Sequence, residues 1–297
     1  MVDVGWDTQE AFDALDKRLK EIGLDFKDIA QIVVTHIHPD HYGLAGKVKR
    51  LSQAQLTLHQ IEKDLIETRY IEVDHLLQEV ADWLRTNGTP EDELPGLQRA
   101  SMGVIEYVTP TLTEITVSGG EVISTGLFNF EVLWTPGHSP GHISLYEREK
   151  RILISGDHIL PITTSNVGIH PQSGSSPLDD YLNSLTELKE LDVDLVLPAH
   201  EYPFRGLRQR IEELFQHHRE REAAIVDVIR DKPKTAYQTA TEIPWLADSD
   251  GATWQSLSPL NKRLAVGETL SHLESLRGKG EVHKTHQENV CFYRYSK

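Results

Sequence analysis

The stretch IVVTHIHPDHYG, residues 32–43, governs how the rest of the chain is read. Ile32, Val33 and Val34 form a short apolar run of the kind that makes a buried strand. Four side chains of metal-ligand type follow within six residues: His36, His38, Asp40 and His41. Imidazole and carboxylate suit borderline divalent metals, and alternate residues of an extended segment project the same way. One loop can therefore feed two neighbouring ions.

Working outward, VDVGWD (2–7) reads as the end of a strand, and Asp7 with Glu10 as the cap of a helix over 8–22 whose apolar face is Phe12, Leu15, Leu19 and Ile22. On the other side, HYGLAGKVKRLS (41–52) reads as helix and AQLTLHQ (54–60) as strand. Strand, helix, strand in alternation predicts a layered α/β fold. Residues 60–109 differ, with helical periodicity through Ile66, Leu76, Val80 and Leu84 and a break at NGTPEDELPG (87–96). An insertion of that size between strands serves as a lid or pocket wall, or covers a sheet face.

Residues 112–157 return to β patterning in TEITVSGGEVI, FNFEVLW, HISLYERE and KRILISGD, with EREK as a hairpin turn. A helix (SSPLDDYLNSLTELKEL) and a buried strand (VDLVLPAH) follow. Beyond a long helix over about 208–230 come a linker at DKPKT, helices over 235–243 and 259–277, and a hairpin over 278–295. Two short helices followed by a β wing predict a small winged-helix-like domain over 208–297, behind a main domain over 1–207.

At 297 residues with 38% apolar content, the chain can bury a large core. Its longest apolar runs fall far short of the roughly 20 residues of a membrane span, and the N-terminus has no basic region ahead of an apolar one. A soluble cytoplasmic protein without membrane contacts is expected. Cys291 is the single cysteine, so no intrachain disulfide forms and a metal site must use His, Asp and Glu. The net charge of −16 is uneven: residues 208–297 hold 14 Lys+Arg against 13 Asp+Glu, which leaves −17 on residues 1–207. So acidic a body repels a phosphate backbone at long range.

Three further ligand-type residues stand at the ends of apolar strand-like runs: His138 in TPGHSPGH (135–142), Asp157 in SGDH and His200 in LPAHE. Ends of parallel or mixed strands converge on one rim of a sheet, which would bring them to the first loop. His142, His158 and His170 lie near these motifs as candidate supporting or pocket residues, whereas His59, His75, His217, His218, His272, His283 and His286 read as ordinary histidines.

In that combination and order, THIHPDH, TPGHSPGH, SGDH and LPAHE resemble the metallo-β-lactamase superfamily of hydrolases over residues 1–207. The resemblance implies an αββα sandwich with a dinuclear site. His36, His38 and His138 would hold one metal, Asp40, His41 and His200 the other, and Asp157 would bridge. It also implies that VDVG is the family's Asp-x-Gly turn, with Asp3 supporting the ligands. Gly137 and Pro136 would then fix the turn that aims His138. The family usually has a couple of strands before that turn, whereas Met1 here stands two residues ahead of Asp3. Either the start is truncated, or one sheet lacks an edge.

Two divalent ions, zinc first with iron or manganese as alternatives, would lower the pKa of a bridging water toward ~7, and the resulting hydroxide would attack the substrate while a metal-bound water or Asp40 manages protons. Several zinc β-lactamases of the family carry a cysteine where this chain has Asp157, which disfavours antibiotic hydrolysis. Persulfide dioxygenases of the superfamily share the histidines with a single iron. The segment SNVGIHPQSGSSPLDDYLNSL resembles a loop of superfamily hydrolases that carry a winged-helix tail, among them thioesterases, glyoxalase-II-like enzymes and a single-stranded-RNA endoribonuclease. Charge ranks hydrolysis of a small-molecule acyl ester or thioester first and RNA cleavage second. The tail, with Lys262, Arg263, Arg277, Lys279 and Lys284, reads as a packing or homodimerisation module with basic residues on a solvated face. A non-enzymatic nucleic-acid-binding or regulatory protein is the third alternative.

Overall fold

The computed structural model describes residues 1–245 and 253–296. Its first residues are not a strand: Val2 makes one parallel bridge to Val33, and the chain turns away at Gly5 with φ 79°. Helix α1 (Gln9–Glu21) is capped by Thr8, whose hydroxyl accepts from the Ala11 N–H. Asp7, expected in that role, instead accepts from the Thr109 hydroxyl and ties the helix entry to the far end of the insertion.

Strand β1 (Gln31–Val33), helices α2 (Pro39–Tyr42) and α3 (Ala45–Ser52), and strand β2 (Gln55–His59) follow, with β1 and β2 paired in parallel. The insertion forms four helices, α4 (Gln60–Tyr70), α5 (Val73–Thr86), α6 (Leu94–Gln98) and α7 (Met102–Ile105). Strand β3 (Ile115–Val117) then pairs in parallel with β2 and completes a three-stranded sheet. The sequence reads 113–123 as one β stretch, but Gly119 and Gly120 sit at φ 112° and 91° and turn the chain out of this sheet. Strand β4 (Val122–Ser124) consequently opens a second sheet.

That second sheet continues antiparallel through β5 (Asn129–Trp134), β6 (Ile143–Glu147) and β7 (Ile152–Gly156). After α8 (Pro177–Lys189), β8 (Leu195–Pro198) returns parallel to β7, as a helical crossover requires. Val33 and Val117 of the first sheet meet Ile123, Val132, Ile143 and Leu145 of the second in one buried cluster. The outer face of the first sheet is covered by α1 and α3, through Leu19 and Val48 against Ile32 and Leu56. Helices α8 and α9 (Leu207–Ile229) cover the second, through Tyr181, Leu185 and Ile211 against Tyr146, Leu153 and Val196. The layers are helix, sheet, sheet, helix, the α/β sandwich the sequence predicts.

The chain closes with α10 (Ala236–Glu242), α11 (Pro259–Gly278) and the hairpin β9 (Val282–Gln287) and β10 (Val290–Tyr295). Glu288 and Asn289, both at positive φ, make its two-residue turn. Lys234 adds one antiparallel bridge to Tyr293. A separate core joins these elements and the far half of α9 (Ile225, Ile229) to Val80, Leu84, Leu94 and Leu97 of the insertion. The insertion thus packs on the C-terminal helices, and the single helix α9 contributes to both cores. Among the described residues no helix is long and apolar enough to cross a membrane.

Candidate metal centre

Since β6 is antiparallel to both β5 and β7, and β8 is parallel to β7, the C-terminal ends of β5, β7 and β8 share one rim. His138 follows β5, Asp157 follows β7 and His200 follows β8. The loop after β1 faces them, with His36 and His38 on either side of Ile37 and Asp40 and His41 in the first turn of α2.

All seven candidate ligands meet at this rim. His36 Nε2 lies 2.8 Å from His38 Nδ1 and 3.2 Å from His138 Nε2, and His138 Nε2 lies 3.0 Å from His38 Nδ1. A second group is Asp40, His41 and His200, with His200 Nε2 3.2 Å from Asp40 Oδ2 and His41 Nε2 3.6 Å from the same oxygen. Asp157 stands between the two: Oδ2 is 3.4 Å from His41 Nε2 and 3.6 Å from His138 Nε2, and Oδ1 is 3.2 Å from His200 Nε2. His36, His41 and Asp157 form a third set close enough to share an ion.

Buried and half-buried polar neighbours aim these groups. Asp3 accepts from the Thr35 backbone N–H at 2.8 Å through Oδ1, and from the Thr35 hydroxyl and His41 Nδ1 through Oδ2. The Thr35 hydroxyl has spent its hydrogen on Asp3, so it accepts from His36 Nδ1 at 3.1 Å. His138 Nδ1 donates to the Asn166 carbonyl at 2.9 Å. His36 and His138 therefore each present a bare Nε2 lone pair at the point where His38 also converges. Gly137 has φ 140°, and a Cβ there would lie 2.5 Å from Tyr181 Cβ, so only glycine makes the turn that projects His138. Pro136 is held as well, its carbonyl accepting from Ser184.

The electrostatics suit cations. Burial, then neighbouring histidines, pushes His36 well below the ordinary imidazole range, and His38 is lowered in the same way, which leaves both neutral as ligands must be. Burial alone would lower His41 too, yet Asp3 and Asp157 hold it well above that range. Asp157 and Asp40, each with a carboxylate oxygen 3.2 Å from His200 Nε2, raise His200 to about 10. Burial works against the Asp157 carboxylate, but His200 and His41 keep it far below the usual carboxylate range. Buried His41 Nε2 and Asp157 Oδ1 make no well-aligned hydrogen bond among the described residues, and face other ligand-type atoms of the cluster instead, Asp157 Oδ2 at 3.4 Å and His200 Nε2 at 3.2 Å. Converging lone pairs, orphaned buried ligand atoms and two carboxylates make a donor set that fits divalent metal ions.

Of the other histidines, His142 accepts from the Asp157 backbone N–H at 3.2 Å and pairs with the Thr135 hydroxyl at 2.8 Å, so it steadies the bridge position. His158 is buried against Tyr181, and His170 lines the adjoining cavity. Cys291 is buried in the C-terminal core. Glu62 escapes the sequence pattern altogether. Fully buried, it accepts from the Ile37 N–H at 2.9 Å, the Gly141 N–H at 2.8 Å and the Ser139 hydroxyl, clamping the two loops that carry His36, His38 and His138. A glutamate two residues into a helix gives no local sign of such a role.

A cavity of about 410 Å³ opens beside His38, Asp40, His138 and Asp157. Helices α5 and α7 wall it with Leu76, Val80, Trp83 and Ile105, and α11 with Leu260 and Leu264. Arg69 and Arg263 also line it. Sequence reading puts Arg263 on a solvated face, but the fold turns this residue inward.

Residues 1–200 match the family model described as Metallo-beta-lactamase superfamily. The chain belongs to that superfamily. It is 26% identical over 301 residues to the probable metallo-hydrolase YqjP of Bacillus subtilis (strain 168), covering 100% of this chain and 90% of the relative. The crystal structure of the metallo-beta-lactamase family protein TTHA1429 from Thermus thermophilus superposes with a TM-score of 0.83 at 32% identity, over 99% of this chain and 89% of that one. The human acyl-coenzyme A thioesterase MBLAC2 is 31% identical over 172 residues, 57% of this chain and 54% of its own length. Fold, cluster and relatives together make this superfamily member a metallo-hydrolase.

Proposed function

We propose that the chain hydrolyses acyl esters or thioesters with two divalent cations, His36, His38 and His138 holding one, Asp40, His41 and His200 the other, and Asp157 bridging. Zinc suits these donors best, and iron or manganese accept the same set. When bound, such a pair supplies a water-derived nucleophile at neutral pH and polarises the acyl carbonyl.

The protein's own part is positional. Asp3, Thr35, Asn166 and Glu62 fix the imidazoles and loops, so little reorganisation remains for the reaction itself. Asp40, half-buried in the first turn of α2 with Oδ2 3.2 Å from His200 Nε2, is the group we assign to proton transfer, taking up a proton and returning it to the departing alkoxide or thiolate. The observation that carries the ester and thioester assignment is the cavity, whose lining is mainly apolar and suits an acyl chain. The half-length likeness to an acyl-coenzyme A thioesterase supports the same choice.

We divide the chain into a catalytic unit over 1–207, with the insertion over about 60–109, and a winged-helix-like unit over 208–297. Helix α9, the bridge at Lys234, two helices and the hairpin follow one another in that order. Helix α11 is committed to packing, with Val266, Leu270 and Leu273 in the C-terminal core and Leu260 and Gly267 on the cavity. A helix so occupied serves as pocket wall, which weighs against nucleic-acid reading by this unit. Cleavage of single-stranded RNA is the runner-up.

Metal-quantified protein tested on a thioester, an ester, a phosphodiester and single-stranded RNA decides between them. The expected result is thioester or ester hydrolysis that falls by about three orders of magnitude or more in His38→Ala, together with a lower metal content. RNA cleavage with the thioesters untouched would overturn the assignment.

A further inference from the structure

Arg69 and Arg263 reach the cavity from different walls. Arg69 lies in the last turn of α4 and is 8% exposed, and Arg263 lies half-buried near the start of α11. Arg69 Nε donates to Gln172 Oε1 at 2.8 Å, and the Tyr70 hydroxyl lies beside the same guanidinium. Arg263 Nη1 reaches the Leu97 and Gln98 carbonyls only at 3.4 Å. Among the described residues neither guanidinium has a carboxylate within salt-bridge distance, in a chain with 46 Asp+Glu. The nearby buried carboxylates are committed elsewhere, Glu62 to the ligand loops and Glu268 to Arg221.

This is an unfavourable way to bury charge. A guanidinium taken from water needs a partner, and two of them crowd each other: burial, then Arg69, lowers Arg263 to about 10. Each guanidinium carries five N–H donors in a planar fork that matches an oxyanion, more than the contacts to Gln172 and the carbonyls use, and both residues line the cavity. Leu76, Val80, Ile105 and Leu260 line the same space, and His38 and His138 border it.

We propose that Arg69 and Arg263 form an oxyanion subsite, which takes a carboxylate or phosphate carried by the substrate at the end of an apolar segment. The preferred substrates are then acyl esters or thioesters with an anionic terminus. The placement of the scissile bond rests on the hydrolase assignment above.

The test uses metal-loaded protein and three phenyl thioesters: hexanoyl, the free-acid half thioester of adipic acid, and 6-phosphonohexanoyl. Charge-assisted hydrogen bonds from two guanidiniums predict kcat/KM about 10- to 100-fold higher for the anionic pair than for hexanoyl, carried mainly by KM. In Arg263→Gln and Arg69→Gln that ratio falls toward one, and the lysine variants keep part of it. Which anionic ester wins identifies the oxyanion as carboxylate or phosphate.

A second measurement avoids turnover: calorimetric titration of metal-stripped protein with hexylphosphonate and hexanoate. Binding is expected to survive His38→Ala and to be lost in Arg263→Gln. If no thioester is cut while Arg263-dependent binding persists, the hydrolase assignment falls and the subsite stands. Hydrolysis at equal efficiency for all three esters, with ligand binding indifferent to Arg263→Gln, overturns the subsite. Should Arg69→Gln fail to fold for want of its Gln172 contact, Arg263→Gln carries the test alone.

Discussion

The floor and the roof of one cavity are built on opposite physical terms. The floor gathers seven ligand-type side chains from loops at the ends of strands in both sheets, and polar groups with fixed directions hold it: buried Thr35 and Glu62, and half-buried Asp3 and Asn166. The roof is helical, drawn from the insertion and from α11, and coheres through apolar contact, with Arg69 and Arg263 as cations that no carboxylate of the described residues neutralises. Hydrogen bonds demand an angle and a distance, whereas apolar burial is non-directional and tolerates repacking. A superfamily member made this way keeps its reacting groups rigid and leaves specificity to a surface that can change.

That contrast breaks first at Gly137. In Gly137→Ala the new Cβ would meet the Tyr181 backbone, 2.7 Å from its Cα, at a φ of 140° that L side chains rarely adopt. Neither the turn nor α8 can give way cheaply, so a loss of about 4 kcal/mol is expected in chemical denaturation. A variant within about 1 kcal/mol of the parent would mean that the turn and α8 yield to the new Cβ and the floor is soft. Next comes Glu62→Gln, which keeps the shape but removes an acceptor from the Ile37, Ser139 and Gly141 donors. It should cost about 2–3 kcal/mol and weaken metal binding about 10- to 100-fold in competition with a chelator.

The floor's ligands and the insertion as a candidate pocket wall were legible in the sequence, but the charged residues buried in both regions were not, for the same physical reason. His36, His38, Asp40 and His41 crowd one loop because metal coordination limits both the residue types and the reach, so the signal is local. His138, Asp157 and His200 end apolar strands, whose periodicity is also local. By contrast, Glu62, Arg69 and Arg263 are charged residues on helices, a pattern that reads as a solvated face, and their burial depends on which distant helix arrives. Smaller errors have equally specific causes. Thr8 outcompetes Asp7 as the cap because Thr109, about a hundred positions away, engages the Asp7 carboxylate. One apparent strand divides between two sheets because Gly119 and Gly120 adopt positive φ.

Where floor meets roof, α9 and α11 bury His218 against His272, the two ring nitrogens 3.4 Å apart. Burial, then His217 and Arg221, holds His218 down at about 3, and burial lowers His272 well below its ordinary value. Both are neutral in the folded protein, while the unfolded chain takes up protons near pH 6.5. Their contribution is therefore fully present above about pH 6.5 and is lost as pH falls below it, for His218 down to about 3. For His218 alone this is about 2 kcal/mol at pH 5. Urea midpoints of the metal-loaded protein at pH 7.5 and 5.0 measure it, and His218→Gln should flatten the dependence. An acid profile unchanged by that variant would place the sensitivity in the floor instead.

The smallest effect expected comes from Leu264→Ala, and it tests the division most finely. Leu264 lines the cavity from α11 but is 37% exposed, so its truncation should cost less than about 1 kcal/mol of stability. If the roof only grips the substrate, the variant raises KM for a long-chain thioester about 5-fold and barely changes KM for an acetyl thioester, with kcat preserved for both. Both chain lengths report on the same reacting atoms, so a loss graded by length traces to the roof's grip on the substrate alone. Since α11 also carries Arg263 one position earlier, a kcat effect equal for both esters would mean that the helix had shifted as a body. Roof packing would then help to place the reacting groups, and the two regions could not be treated as independent.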